Sequence, residues 1–290
     1  MSVGANKGLI LDFNDEFGEF NVKSIALDHL GVYMAHPKPD VRRIRPYLLS
    51  GGKWVPMSTN DKLTMLEKVL KPGGFRGGCL LIDDPNKYMD DYDMPKDLTG
   101  MLAGNAHSDL DMILHYQSIG RILPKVLQNT NIFRFHCQFD PVRKSASKLS
   151  ESLEVFQIAE LLVNEQYYNQ NNKRFFVYVD KDSGKIIGNF DHAMFDTALT
   201  EYLHQNDSEL KPFLRQKTMQ GKPLFQWPEA MAAAKKKLFT KYWGNNEASD
   251  ETRESRVMVA TGKKRVGKSH ETGRYLFEDY CGLPFLKKVA

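Results

Sequence analysis

Short, unbroken apolar runs punctuate this chain. Leu9-Ile10-Leu11 runs into Asp12, and Cys79-Leu80-Leu81-Ile82 follows the pair Gly77-Gly78 and ends at Asp83-Asp84. Met112-Ile113-Leu114-His115-Tyr116 ends at Gln117, Ile132-Phe133-Arg134-Phe135-His136 is a fourth run, and Arg256-Val257-Met258-Val259-Ala260 is a fifth. Runs that are continuously apolar, rather than alternating, predict strands buried on both faces, as in a parallel sheet. Helix-length intervals separate them, with a short helical piece at Ile122–Gln128 and a longer one at Glu271–Cys281 that stops at Gly282. The expected class is α/β, a mostly parallel sheet with helices on both faces.

From about Ser145 to Tyr242 the pattern changes. Leu153, Phe156, Ile158, Leu161 and Leu162 suit one face of a helix. Lys173–Val179 and Gly184–Phe190 flank a polar turn at Asp180-Lys181-Asp182-Ser183 and predict a hairpin, and further helices are expected near Ala193–His204 and Pro228–Tyr242. The predicted organisation is a core of residues 1–145 with 253–290, a segment 146–243 that supplies the last sheet strands and a small α+β extension, and a polar linker at 244–252.

Candidate chemistry lies at the ends of these strands. The octet Gly262-Lys263-Lys264-Arg265-Val266-Gly267-Lys268-Ser269 fills G-x-x-x-x-G-K-[ST] between a strand and a helix. Two glycines let successive N–H groups wrap a phosphate, to which the following residue, His270, is added as a further contact. Lys268 brings a point charge to the β and γ oxygens, and Ser269 offers a hydroxyl to Mg²⁺. Such a loop needs a second, acidic site. Asp83 is placed to hold the metal opposite Ser269, and Asp84 to activate water.

The acidic strand, the strand ending in Gln117, and Ile-Leu-Pro-Lys-Val-Leu-Gln-Asn before an arginine-bearing strand resemble the FtsK/HerA group of P-loop ATPases. Among these the chain is most similar to Zot-like and phage DNA-packaging ATPases. The resemblance covers roughly residues 7–140 and 255–290. It implies a RecA-like P-loop fold with the additional strand, ATP and Mg²⁺ as cofactors, double-stranded DNA as partner, a ring of identical subunits, and a part in phage assembly. It also implies that Gln117 senses the γ-phosphate, and it aligns Asp12, Glu16 and Phe17 with a recurring Asp and Glu-aromatic pair. The chain departs from the group at Asp84, where Glu is usual, which makes Glu16 an alternative catalytic carboxylate. Arg121 and Arg134 are candidates for an arginine that reaches a neighbour's nucleotide. The phosphate-binding octet stands last rather than first, so the order reads as a circular permutation, with Ala290 corresponding to a join to the N-terminal segment.

Composition narrows this further. The 290 residues, 41% of them hydrophobic, suffice for one α/β domain with an appended subdomain. No apolar run approaches the ~20 residues of a membrane span, and no secretory signal opens the sequence. Cys79, Cys137 and Cys281 are widely separated among apolar neighbours, which predicts buried thiols and a reducing cytoplasm, the host's if a phage encodes the chain. The net charge of +4 is too small to establish nucleic-acid binding, but two local clusters, His36–Arg45 and Lys235-Lys236-Lys237, offer surfaces for a phosphate backbone. A non-motor scaffold that binds nucleotide, or a small-molecule kinase, are the alternatives to a motor.

Overall fold

The computed structural model describes residues 6–71, 73–85, 100, 110–138, 140–244, 257–261 and 268–285. Its strands are β1 Lys7–Leu11, β2 Lys23–Ser24, β3 Asp40–Ile44, β4 Tyr47–Ser50, β5 Lys53–Pro56, β6 Gly78–Asp83, β7 Leu110–Tyr116, β8 Ile132–His136, β9 Phe176–Asp180, β10 Lys185–Gly188 and β11 Val257–Thr261. The principal helices are α1 Leu30–Ala35, α2 Thr59–Leu70, α3 Pro124–Asn129, α4 Leu153–Asn164, α5 His192–Gln205, α6 Trp227–Tyr242 and α7 Lys268–Arg274. The chain divides into two compact units, 1–132 with 251–290, and 133–250.

The first unit is mixed α/β, built on strands in the order β11-β7-β6-β1-β3-β2. Every pairing in this series is parallel. β1 and β6 are buried at every position, as their uninterrupted apolar runs predict. The register sets Asp83 beside His115, Leu11 beside both Ile82 and Ile44, and Thr261 beside Tyr116. The carboxyl ends of β11, β7, β6 and β1 therefore lie along one edge, where open parallel sheets bind ligands. The architecture is α/β with a mostly parallel sheet, as the sequence predicts.

Local sequence explains how the chain reaches that edge. α2 starts at a reciprocal cap in which the Ser58 side chain accepts from Asp61 N while Asp61 accepts from Ser58 N. Its Met65, Leu66, Val69 and Leu70 are buried, and the Arg76 guanidinium donates to the Leu70 carbonyl at its end (2.6 Å). At Gly78, the first residue of β6, a Cβ would stand 2.6 Å from the Lys7 carbonyl oxygen, so only glycine allows β1 and β6 this approach. The exposed β4–β5 hairpin turns through Gly51 and Gly52, both at positive φ.

The second unit holds strands in the order β10-β9-β8, with β9 and β10 antiparallel, and helices α4, α5 and α6. α4 packs against β9 and α5, and α5 against α6. Phe133 and Phe135 of β8 meet Phe156 of α4 with ring centroids 4.9 and 5.8 Å apart. All three cysteines are buried free thiols. Among the described residues, no helix is long and apolar enough to cross a membrane.

Two expectations are corrected. His36–Arg45 is not one basic surface: the alternation of β3 turns Arg43 inward, where it is 8% exposed and paired with Asp12 and Asp15. Arg134 does not reach outward either. Its guanidinium is buried 3.7 Å from the Phe176 ring centroid and 5.8 Å from that of Tyr178.

Candidate active site

Asp83 and Asp84 leave β6 in different directions. Asp83 is the last strand residue, whereas Asp84 has φ +49°, a left-handed conformation that aspartate tolerates better than most residues. This turn lets two adjacent carboxylates, both nearly buried, address separate partners. Asn14 Nδ2 donates to Asp83 Oδ2 at 2.6 Å, and His115 Nδ1 lies 3.4 Å from Asp83 Oδ1. Gln117 Nε2 donates to Asp84 Oδ2 at 2.8 Å, and Arg121 Nη1 donates to Gln117 Oε1 at 3.3 Å. The Gln117 amide is thereby oriented from both ends, oxygen toward the cation and nitrogen toward the carboxylate.

His115 ties the acidic edge to α7. It is fully buried, and its Nε2 is 2.8 Å from Thr272 Oγ1. An ionised Asp83 only accepts, so a neutral imidazole facing it carries its proton on Nδ1 and accepts the Thr272 hydroxyl at Nε2. Neither His115 nor Thr272 is part of any recognisable motif. The sequence signal for the first is a single polar residue inside the apolar run of β7; the second carries none.

A second buried carboxylate backs Asp83. Asp12 is fully buried, accepts from Glu16 N (2.9 Å) and Phe17 N (3.1 Å), and pairs with Arg43 Nη1 at 2.7 Å. Burial pushes its carboxyl up to about 6; Arg43 opposes the rise and the negative charge of Asp83 adds to it. Arg43 also reaches Asp15. Burial works against the charge of Asp15, but Arg45 and Arg43 hold its carboxyl below the usual range. Glu16 is exposed at the start of the 3-10 turn Glu16–Phe20, while Phe17 is buried with its ring centroid 6.2 Å from that of His115.

The octet 262–269, expected from the sequence to bind phosphate, falls largely outside the described residues: Gly262, Lys263, Lys264, Arg265, Val266 and Gly267 all do. Its two flanks are defined. β11 ends at the buried Thr261, and Lys268 and Ser269 form the first turn of α7. His270 Nδ1 is 3.0 Å from Glu271 Oε1, and its ring packs edge-on to Phe20 and Phe285. The predicted linker outside Gly244 also lies beyond the described residues.

Among the described residues, no three His, Cys, Asp or Glu side chains converge as a closed metal cage. A hard cation such as Mg²⁺ does not need one, since it is commonly held by one or two carboxylates together with phosphate and water oxygens. Asp83, at a strand end beside a second carboxylate, fits that requirement.

No protein-family model matches the chain, and no curated protein matches it by sequence. Solved structures similar to it include the genome packaging NTPase B204 from Sulfolobus turreted icosahedral virus 2, in complex with AMPPCP, with 15% identity over 63% of this chain and 80% of that one, TM-score 0.40. The same protein in complex with ATP-gammaS gives 16% identity, the same two coverages and TM-score 0.39. In complex with sulfate it gives 17% identity over 63% and 79%, TM-score 0.42.

Proposed function

We propose that this chain is a Mg²⁺-dependent ATPase of the additional-strand P-loop type, whose turnover drives double-stranded DNA translocation or packaging. The observation that carries the reading is the position of β7, inserted between β11 and β6. It brings Gln117 between the strand that leads to the phosphate-binding octet and the strand that ends in Asp83-Asp84, and into hydrogen-bonding contact with Asp84.

In this reading Lys268 and the backbone N–H groups of 262–267 hold the phosphates, and Asp83 with Ser269 holds Mg²⁺. When bound, Mg²⁺ supplies neutralising charge at the β and γ oxygens. Asp84 orients and deprotonates the attacking water, with Glu16 the alternative carboxylate. Gln117 exchanges its hydrogen bond with Asp84 for one to the γ-phosphate, so Asp84 is released to water only when nucleotide is present. Arg121 holds the Gln117 oxygen throughout. The late position of the octet is read as a circular permutation of the FtsK/HerA order, and residues 146–243 as an extension carried by the core. A ring of copies, action on phage DNA and a cytoplasmic setting follow from the same resemblance.

The test is ATP hydrolysis with Mg²⁺, with and without duplex DNA, for the parent chain beside Lys268→Ala and Asp84→Asn. DNA-stimulated turnover, lost in Lys268→Ala and reduced roughly 10²–10⁴-fold in Asp84→Asn, is expected. One observation favours a second reading: Asp84 is one methylene shorter than the usual Glu and is already tied to Gln117. A nucleotide-binding scaffold would bind ATP through Lys268 but show no turnover in the parent.

A further inference from the structure

The second unit carries a cationic finger that the motifs do not account for. Between the short helix Lys211–Leu214 and α6 the chain doubles back: Lys217 pairs antiparallel with Pro223, Thr218 N donates to the Lys222 carbonyl (2.8 Å), and Leu224 N to the Gln216 carbonyl (2.8 Å). The tip is closed by Gly221 N donating to the Thr218 carbonyl (2.9 Å), with Gly221 at φ +79°. The base is clamped by Phe213 against Phe225, ring centroids 6.0 Å apart and nearly perpendicular. Met219 stands fully exposed at the tip.

Charge along this finger has one sign. Residues 211–228 contain Lys211, Arg215, Lys217 and Lys222 and no aspartate or glutamate. All four cations are exposed. Elsewhere in this unit Lys235 pairs with Asp196 and Lys241 with Glu154, but among the described residues no carboxylate pairs with these four. Strand alternation puts Lys217 on one side of the finger, with Pro223, and Lys222 on the other, opposite Thr218, while Arg215 caps the helix Lys211–Leu214 at the base.

We propose that this hairpin is a contact for double-stranded DNA, entering a groove so that its cations meet phosphates on both walls. The inference rests on the DNA-acting reading above and supplies that reading with a binding surface. A flat anionic surface such as a membrane calls for cations on one side only. A groove between two rows of phosphates calls for them on both, and the major groove of B-DNA, roughly 12 Å wide, admits a two-stranded ribbon. Gln216 and Gln220 add amides able to donate and accept at phosphates or base edges, and the exposed Met219 adds an apolar surface at the tip.

The experiment is fluorescence anisotropy of a labelled duplex, titrated with the full chain over a series of salt concentrations, for the parent and for Arg215→Gln/Lys217→Gln/Lys222→Gln. The triple variant is expected to bind at least tenfold more weakly and to lower the slope of log K on log salt by about 3, near 0.9 for each phosphate no longer neutralised. Its DNA-free ATP hydrolysis and circular-dichroism melt should match the parent's. Lys222→Glu should bind more weakly than Lys222→Gln. Unchanged affinity and slope in the triple variant would overturn the hairpin proposal while leaving the DNA-driven ATPase intact. A parent that hydrolyses ATP but binds no duplex at low salt would overturn both the hairpin proposal and the DNA reading. Phosphatidylserine vesicles that bind the parent and not the triple variant, with duplex binding equal in the two, would assign the finger to a lipid surface instead.

Discussion

Arg43 lies buried between Asp12 and Asp15, whereas Arg215 stands on the hairpin of the other unit with no carboxylate at ion-pair distance among the described residues. The side chains are identical, and so is the need of a guanidinium for a counter-charge. In the first unit that need is met internally, so Arg43 fixes the position of the carboxylates behind the candidate active site. In the second it is left open to an outside anion. Charge count alone does not separate the two regions, because His36–Arg45 is denser in cations than residues 211–228. What separates them is whether acids fold back onto the cations, which a linear cluster does not reveal.

The largest expected effect tests the buried half of this contrast. Arg43→Met leaves Asp12 buried without its cation and should cost about 3–5 kcal/mol in urea unfolding. Adding Asp12→Asn to that variant should recover most of the loss. A cost below about 1 kcal/mol would mean that Arg43 is as dispensable as a surface arginine.

The next effect is a pH dependence. The Asp12 carboxyl titrates near about 6 in the fold and near 3.9 unfolded, so between these values the folded state binds more protons. The stability contributed by protonated Asp12 is therefore full below about pH 4 and is lost as pH rises to about 6, a change on the order of 2–3 kcal/mol. Unfolding measured across that window should slope downward with pH in the parent and be flatter in Asp12→Asn.

A smaller effect, of about 10- to 100-fold on kcat, is expected for Gln117→Ala with KM for ATP changed less than about threefold, because the γ-phosphate loses the amide that Gln117 turns to it during turnover. The smallest is on stability at the finger. Arg215→Gln/Lys217→Gln/Lys222→Gln should leave the unfolding free energy within about 0.5 kcal/mol of the parent. A larger loss would show that the hairpin cations hold the unit together, and the contrast with Arg43 would fail.

Much of the first unit is legible in the sequence because its signals are local. The apolar run of β6 announces a strand buried on both faces, and the aspartates that end it announce a polar strand end. The glycine and lysine spacing of 262–269 is likewise readable without tertiary information. The contact of His115 with Thr272 is not, since it joins residues 157 positions apart. Arg43 is hidden by its neighbours: in Asp40-Val41-Arg42-Arg43-Ile44 two arginines occupy opposite faces of one strand, and only the segment after β1, which brings Asp12 and Asp15 to Arg43, shows which is inside. The finger is hidden for another reason. It rests on one antiparallel bridge, too short to leave an alternating pattern, so Gly221 and Pro223 mark a turn without marking what the turn presents.

The pairing of β11 with β7 also has a consequence for how the protein is made. Val257 aligns with Met112, half the chain away, and β11 is the only described strand that follows β10. During synthesis β7 is translated long before its partner, and the flank it offers to β11 must wait while the whole second unit leaves the ribosome. An open edge of a buried, apolar strand is a site for mispairing. The nascent chain therefore passes through an interval in which this sheet is incomplete and sticky, and its yield in the cell should depend on chaperone supply and translation speed.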